Sequence, residues 1–474
     1  MPPRAPDIER DYVHVEAAAA AAKSFSLDEV AKHNTPEDCW VIVRGKVYDV
    51  TKWIPRHPGG PVIYAKAGGE CSQLFDSYHP LKARKTLEKF MIGDVKLSAS
   101  DAGKVVQYEE DMDKGQFFHT LKQRVETFFS ENKINPRVSY EMYAKSAIIL
   151  SSMTFCYYMA FWYCTNLWAA AFFATFWGFW MAEVGVSIQH DANHGAYGTN
   201  TALGYFMGAT LDMVGASSFM WRQQHVVGHH AFTNVDGLDP DIRVSDPDIR
   251  RVAPKQPHQG YQKFQHLYLA AAYGLLALKS VLADDFMALS TGHIGSVKIA
   301  QMTTVEKGVF WAGKAFFATY SVILPALYSH HSLAALLGLW LWGEAITGWV
   351  LACMFQVAHV ISECEWPTMD PKTGKVAQGW AAAQMMTSAD FAPGSYFWTH
   401  VSGGLNYQVV HHLFPGVCHC HYPKIAPIVT KTAGEFGIKH IVFPTFSEAL
   451  TAHFGHLKRM GLGEGGIPSL ATVG

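Results

Sequence analysis

The feature that most constrains this chain is a pair of pairs: four long apolar runs, almost free of charge, arranged as two tight couples. Ser146 to Cys164 is nineteen residues without a charge, and Leu167 to Ile188 is twenty-two interrupted by Glu183 alone. As a helix each is long enough to cross about 30 Å of hydrocarbon. Only Thr165 and Asn166 separate them. The second couple is Ala315 to Ser329 and Ser332 to Ala358, the latter carrying Glu344, with His330 and His331 between. Both read as helical hairpins, so four transmembrane helices are expected. None of the 38 Lys and Arg residues falls within 146–188 or 315–358. The N-terminal region, the 189–314 loop and the C-terminal region therefore share one side, which the positive-inside rule makes cytoplasmic. Two shorter stretches, Ala202 to Trp221 with Asp212 and Leu267 to Ala283 with Lys279, read as interfacial helices, because a charge near the middle of a short apolar run is costly in lipid.

Much of the 474-residue chain is nevertheless aqueous, since mean hydropathy is only +0.04. A formal charge of -2 and a pI near 6.9 leave no basic surface for nucleic acid. The eight cysteines are scattered and outline no disulfide framework. At the N-terminus the apolar run Ala17 to Ala22 is only alanine, which is not a secretory signal, so the first unit is expected to stay in the cytosol.

Residues 24–95 alternate short β-branched runs with turns, such as Trp40-Val41-Ile42-Val43 and Lys46-Val47-Tyr48-Asp49-Val50, the pattern of a small α+β fold. The turn His57-Pro58-Gly59-Gly60 follows, and His79 comes twenty-two residues after His57. Heme iron held between two imidazoles is coordinatively saturated, so it passes electrons without binding oxygen or substrate. With His33-Asn34 and Phe75-Asp76, these motifs resemble cytochrome b5 over about seventy residues. The resemblance implies heme b on His57 and His79, although Tyr78-His79-Pro80 replaces the usual surroundings of the second ligand. Polar residues 96–145 read as a linker with an approach helix near Gln116 to Phe129.

Three histidine clusters adjoin the apolar runs. The first is Gln189-His190-Asp191-Ala192-Asn193-His194, in which His190 and His194 share one face of a helix and can bind the same metal. The second, Gln224-His225-Val226-Val227-Gly228-His229-His230, puts His225 and His229 on one face in the same way. The third is Asn406-Tyr407-Gln408-Val409-Val410-His411-His412, and His359 ends the last apolar run. Eight imidazoles exceed what one tetrahedral zinc uses, whereas two octahedral irons would employ them and keep positions open for dioxygen. Spacing alone does not identify the metal. Cys418-His419-Cys420-His421 has the composition of a zinc site, but ligands one residue apart converge poorly on one ion. Asp239, Asp241, Asp246 and Asp248 read as turn caps of two Asp-Pro pairs rather than a cation site.

The boxes HxxxH, HxxxHH and QxxHH, with a b5-like unit in front, resemble the membrane fatty acid desaturases of the front-end class. Asp239-Pro240-Asp241-Ile242-Arg243, Phe355-Gln356-Val357-Ala358-His359 and Asn406-Tyr407-Gln408 are most similar to delta-5 acyl desaturases. The resemblance implies a di-iron centre on His190, His194, His225, His229, His230, His359, His411 and His412. Gln408 stands where other desaturases place a ninth histidine, and His400 is a weaker substitute for it. It also implies O2 as co-substrate, a cis double bond inserted into C20 polyunsaturated chains carried on coenzyme A or phospholipid, and electrons delivered to the fused heme by NADH-cytochrome b5 reductase. No dinucleotide-binding fingerprint is present in the chain itself. Arg243, Arg250, Arg251 and Lys255 are candidates to hold the substrate headgroup. The expected organisation is 24–98 heme domain, 99–145 linker and approach helix, 146–446 membrane desaturase domain with a cytosolic histidine-rich cap, and 447–474 tail. Membrane lipids surround the protein, and the b5 fusion favours the endoplasmic reticulum. The competing readings are a delta-4, delta-6, delta-8 or sphingoid-base desaturase, an acyl hydroxylase, or a membrane-anchored electron carrier with inert histidines. Product analysis separates the first group, and iron beyond the heme excludes the carrier.

Overall fold

The computed structural model describes residues 23–98, 101, 103–108, 112–243 and 248–464. The alanine run at 17–22 and Asp246 lie outside the described residues.

Strands β1 (Ser24–Phe25), β2 (Asn34–Thr35), β3 (Asp38–Val43), β4 (Lys46–Asp49) and β5 (Met91–Val95) form one sheet in the order β1-β5-β4-β3-β2. β1 and β5 run parallel and the other pairs antiparallel, with Val41 opposite Tyr48 and Ile42 opposite Val47. Because strand side chains alternate, Val41 and Val43 pack with Tyr48, Tyr64 and Phe75 on one face, while Ile42 joins Phe25, Val30 and Val47 on the other. Helix α1 (Ser72–Tyr78) crosses the first face and ends at His79. The α+β expectation for this unit holds.

The rest of the chain is helical. α2 (Met112–Glu131) is the approach helix, and its Phe117, Leu121, Val125 and Phe129 repeat at the spacing of one buried face. α3 (Tyr140–Tyr158) runs on through a π turn at Met159–Tyr163. Asn166 caps α4 (Leu167–Glu183), which continues through a π turn into α5 (Gln189–Asn193). α6 (Thr304–Ala318) starts on a capping box between Thr303 and Glu306, and α7 (Leu333–His359) starts on Ser332. The two hairpin turns touch each other: Ser329 Oγ donates to Phe161 O, and His330 Nε2 lies 2.9 Å from Cys164 O. The opposite ends of α4, through α5, and of α7 therefore carry His190 and His359. α4 and α7 cross where both are glycine. A Cβ at Gly178 would lie 2.2 Å from Gly343 O, and Thr347 Oγ1 donates to Gly178 O at 2.9 Å. Small residues are what let two backbones approach this closely in lipid.

Among the described residues four helices are long and apolar enough to cross a membrane: Leu167–Asn193, Gly260–Thr291, Thr304–Tyr328 and Leu333–His359. By length and composition this differs from the sequence reading in two places. The 140–163 helix is not among them, because serines, a threonine and tyrosines dilute its apolar run. The segment read as a short interfacial helix at Leu267 to Ala283 is part of a 32-residue helical stretch. Both ends of that stretch are tied to histidine-bearing regions: Gln265 Nε2 donates to Arg251 O and Leu457 O, and Asp285 accepts from Ser217 N and Lys314 Nζ. Residues 202–221, the other interfacial reading, form three short helices of at most eight residues. Large apolar side chains such as Trp168, Phe172, Leu267, Met287, Leu333 and Leu337 face outward, an exterior suited to lipid.

The last part of the chain is more than a tail. α8 (Gln408–Leu413) and α9 (Tyr422–Glu435) pack with α2 through Val409, Val410, Leu413, Ile425 and Val429. α10 (Phe446–Gly461) buries Ala449, His453, His456 and Leu457, so the segment assigned to a 447–474 tail is built into the helical domain as far as 461. Its amphipathic spacing is the cause: one face is apolar enough to need a partner.

Candidate metal centre

The heme unit brings its two histidines face to face. His57 Nε2 and His79 Nε2 are 3.4 Å apart, while His57 Nδ1 bonds Gly60 O at 3.2 Å and His79 Nδ1 bonds Phe75 O at 3.1 Å. In each ring one nitrogen is held by a backbone carbonyl and the other is left for a metal, which is how ligating histidines are oriented. The turn needs both of its glycines. A Cβ on Gly59 would meet His57 Cε1 at 2.8 Å, and Gly60 has φ +68°, where a side chain is strained. Burial, reinforced by repulsion from His57, lowers the His79 pKa to about 4, so its lone pair is free at neutral pH.

The eight box histidines converge although they span residues 190 to 412, and all are buried. His190, His194, His225 and His411 place ligand atoms within 4.8 Å of one another, and so do His229, His359 and His412. Nitrogens about a metal at roughly 2.1 Å sit about 3 to 4.2 Å apart, so each group is close to the size that one ion would draw together. His230 stands between the two groups. Its Nε2 is 3.2 Å from His225 Nε2, and its ring is 4.7 Å from that of His411 and 4.5 Å from that of His412.

Local helix geometry decides this division. α8 is α-helical, so neighbours diverge by about 100° and His411 and His412 serve different groups, while Gln408 and His412 share a face. Gln408 Nε2 lies 2.8 Å from His359 Nε2 and 3.2 Å from His412 Nε2, which adds an amide to the second group. The second box is not α-helical. Arg222–His229 is a π-helix, whose wider turn brings residues five apart together. His225 therefore meets His230, and His225 and His229 fall into different groups. With Asp241, His225 and His229 also place ligand atoms within 4.8 Å of one another, the closeness expected of two residues on one face.

The outward nitrogens are held in place. His225 Nδ1 is 2.5 Å from Asp241 Oδ2, and His229 Nδ1 is 2.8 Å from Asp239 Oδ2. His359 Nδ1 bonds Thr387 O at 3.0 Å, His412 Nδ1 bonds Gln384 Oε1 at 2.8 Å, and His411 Nδ1 lies 3.2 Å from Tyr422 Oη. His194 Nδ1 bonds the hydroxyl of Tyr78. The inward atoms are the opposite case: His190 Nε2, His194 Nε2, His229 Nε2, His411 Nε2 and Gln408 Oε1 are buried without a hydrogen-bond partner. Orphaned buried acceptors are costly unless something else occupies them. First burial and then mutual repulsion hold the pKa values of His194, His229, His230, His411 and His412 well below the usual range, so the lone pairs are available. The donor set fits two metal ions.

The chain matches the fatty acid desaturase family model over residues 166–444 and the cytochrome b5-like heme/steroid binding domain over 26–96. It belongs to the fatty acid desaturase family. An acyl-lipid (8-3)-desaturase of Physcomitrium patens is 55% identical over 93% of this chain and 92% of its own length. The delta(5) fatty acid desaturase A of Dictyostelium discoideum is 35% identical over 95% of this chain and 96% of its own. An acyl-lipid (8-3)-desaturase of Mortierella alpina is 35% identical over 93% and 98%. The protein is thus a front-end acyl-lipid desaturase of the membrane with a fused heme domain, its histidine clusters are suited to a di-iron site, and O2 is its co-substrate.

Other candidates from the sequence lie apart from this centre. His400 Nε2 pairs with Glu141 Oε1 at 3.2 Å and joins neither group. Cys418, His419 and Cys420 do converge within 4.8 Å, contrary to the expectation from their spacing. His419 is nonetheless spent: Nδ1 is 2.9 Å from Asp191 Oδ2 and Nε2 is 3.2 Å from Lys145 Nζ. Of the headgroup candidates, Arg251 is buried and donates to the carbonyls of Gln256, Pro254 and Met460, a structural role. Sequence reasoning missed the outer partners Tyr78, Gln384, Thr387 and Tyr422, and took Asp239 and Asp241 for turn caps. The one signal available was that three acidic residues, Asp236, Asp239 and Asp241, follow the second box within twelve positions.

Proposed function

We propose that this desaturase inserts a delta-5 cis double bond into C20 polyunsaturated acyl chains, with one iron held by His190, His194, His225 and His411 and the other by His229, His359, His412 and Gln408. His230 lies between them and serves either ion. The observation that carries the metal reading is the row of orphaned inward nitrogens, those of His194, His229 and His411 in rings whose other nitrogen is fixed. Iron and O2 supply the oxidising power that side-chain acids and bases lack against an unactivated methylene. Overall, two adjacent CH2 groups, O2, two electrons and two protons give CH=CH and two waters. The chain's own contribution is position: it aims the imidazoles, keeps them unprotonated, and buries the centre away from bulk water.

The delta-5 assignment rests on the relatives. Two are named for an 8-3 relation and one for position 5, and a bond placed three carbons to the carboxyl side of carbon 8 falls at carbon 5. The charge pattern supports sites facing the cytosol, and the fused heme supports an endoplasmic reticulum enzyme reduced by NADH-cytochrome b5 reductase. The domain limits that fit best are 24–98 for heme, 99–145 for the approach helix, and a desaturase body that continues through 461. Expression in yeast fed defined C18 and C20 polyunsaturates tests the assignment. A new double bond at carbon 5 of C20 acids is the expected product. A bond at carbon 4, 6 or 8, or a hydroxylated product, would rule delta-5 out. Following label from acyl-CoA and phospholipid pools in the same cells identifies the carrier.

A further inference from the structure

The heme ligand His79 and its neighbour Tyr78 look in opposite directions. α1 ends at Tyr78, and His79 has left helical geometry with φ -104° and ψ 142°. Consecutive side chains on extended backbone diverge. The His79 ring turns towards His57, while the Tyr78 ring leaves the heme unit, lies 6.1 Å from the His194 ring at an interplanar angle of 18°, and hydrogen-bonds His194 Nδ1. The loop is clamped from the catalytic side as well. Lys122 Nζ on α2 donates to Asp76 O at 2.7 Å and to His79 O at 2.5 Å, and Leu81 N donates to Glu126 Oε1 at 2.9 Å. Gly416 lies beside the ring, where a Cβ would stand in ordinary van der Waals contact, 3.5 Å from Tyr78 Cδ1.

His194 Nε2 is one of the orphaned atoms aimed into the centre. With that nitrogen's lone pair pointing inward, the ring proton sits on Nδ1 and is donated to the Tyr78 oxygen. The tautomer of a ligand in the catalytic domain is thereby set by a residue of the heme domain, and the remaining box histidines take their Nδ1 partners from the catalytic domain itself where a partner is present.

We propose that Tyr78 is a positioning residue that couples the two redox units: it orients His194 for metal and closes a direct route from heme ligand to metal ligand, one peptide link from His79 and one hydrogen bond to His194. The inference rests on the di-iron reading above. In each transfer the ferrous heme loses one electron and a ferric ion of the centre gains it. No bond is made or broken, and the Nδ1 proton of His194 stays where it is. The external reductant restores the heme.

The test uses the full-length, heme-loaded protein with Tyr78→Phe, which keeps the ring and removes the hydrogen bond, and Tyr140→Phe, an exposed tyrosine, as control. Two quantities are read: Fe2+ binding under argon by equilibrium dialysis after non-heme metal has been stripped, and the rate at which dithionite-reduced heme is reoxidised on mixing with O2 and acyl substrate. For Y78F the heme spectrum stays unchanged, one class of Fe2+ site weakens by about tenfold or more, and reoxidation slows by a similar factor, the scale seen when an outer partner of a metal ligand is removed. Wild-type Fe2+ affinity together with a wild-type reoxidation rate overturns the inference. Should Y78F lose heme, Lys122→Met loosens the same loop and leaves the tyrosine in place. Slower reoxidation at full iron loading then supports the coupling, and an unchanged rate overturns it. Failure of the di-iron reading looks different, because the wild-type protein itself would bind no Fe2+ beyond its heme.

Discussion

Apart from His190 and His230, the histidines of the two redox sites use their two nitrogens separately, and the fixed one is as informative as the free one. Asp239 shows this best: Oδ2 takes His229 Nδ1 and Asn234 N, and Oδ1 takes Asp241 N and Ile242 N, so the carboxylate locks a turn and aims a ligand together. Asp239→Ala should lower turnover by about 10- to 100-fold, the usual effect of removing such a partner, with the heme spectrum intact. Product formation per heme measures it, and full turnover in the variant would show that His229 needs no such support. His79 gives a pH prediction. Its pKa in the folded protein is lowered to about 4 from an ordinary 6.5, by burial first and His57 second. The unfolded chain therefore takes up the proton first as pH falls, and the stability of the heme-free b5 unit should decline from about 6.5 down to about 4 and level off below. Thermal unfolding of that unit across this range reads the effect, and His79→Gln should flatten the profile.

At the scale of elements, non-α helical turns and glycine crossings place the residues. The π turn at 222–229 re-registers the second box, pairing His225 with His230 and setting His229 beside His359 and His412. The crossing of α4 and α7 sets the depth of His190, at the end of one, and of His359, at the end of the other. Gly178→Val would drive a Cβ into Gly343 O, so α4 and α7 must separate. Overpacking of this kind costs about 1 to 3 kcal/mol, and the variant should unfold at lower temperature in detergent and lose non-heme iron with its heme retained. Intact iron and unchanged melting in that variant would mean the crossing tolerates separation. α10 was read as part of a tail, and its docking was not legible, because amphipathicity states that a face needs cover and never which surface supplies it.

At the scale of the whole molecule, two hairpins fix the distance between their shared turns and the histidine layer, and the cap of α2, α8 and α9 closes over the metal groups. Purified protein should hold roughly two irons beyond its heme, as a two-metal centre requires, and a chelator that removes them should abolish desaturation while the heme still cycles. Metal analysis beside the heme spectrum checks this, and iron confined to the heme would leave only an electron carrier. The sequence by itself determined the apolar hairpins, the His57 turn and the three boxes, because each is a local pattern whose period or spacing carries its own physics. Tertiary structure alone decided how the histidines gather into groups, that Gly260–Thr291 is one long helix anchored at both ends, and that Asp239, Asp241, Gln384, Thr387, Tyr422 and Tyr78 hold the rings. Those partners are single polar residues at arbitrary separations, and a hydrogen bond between distant segments leaves no periodic trace in the chain that makes it.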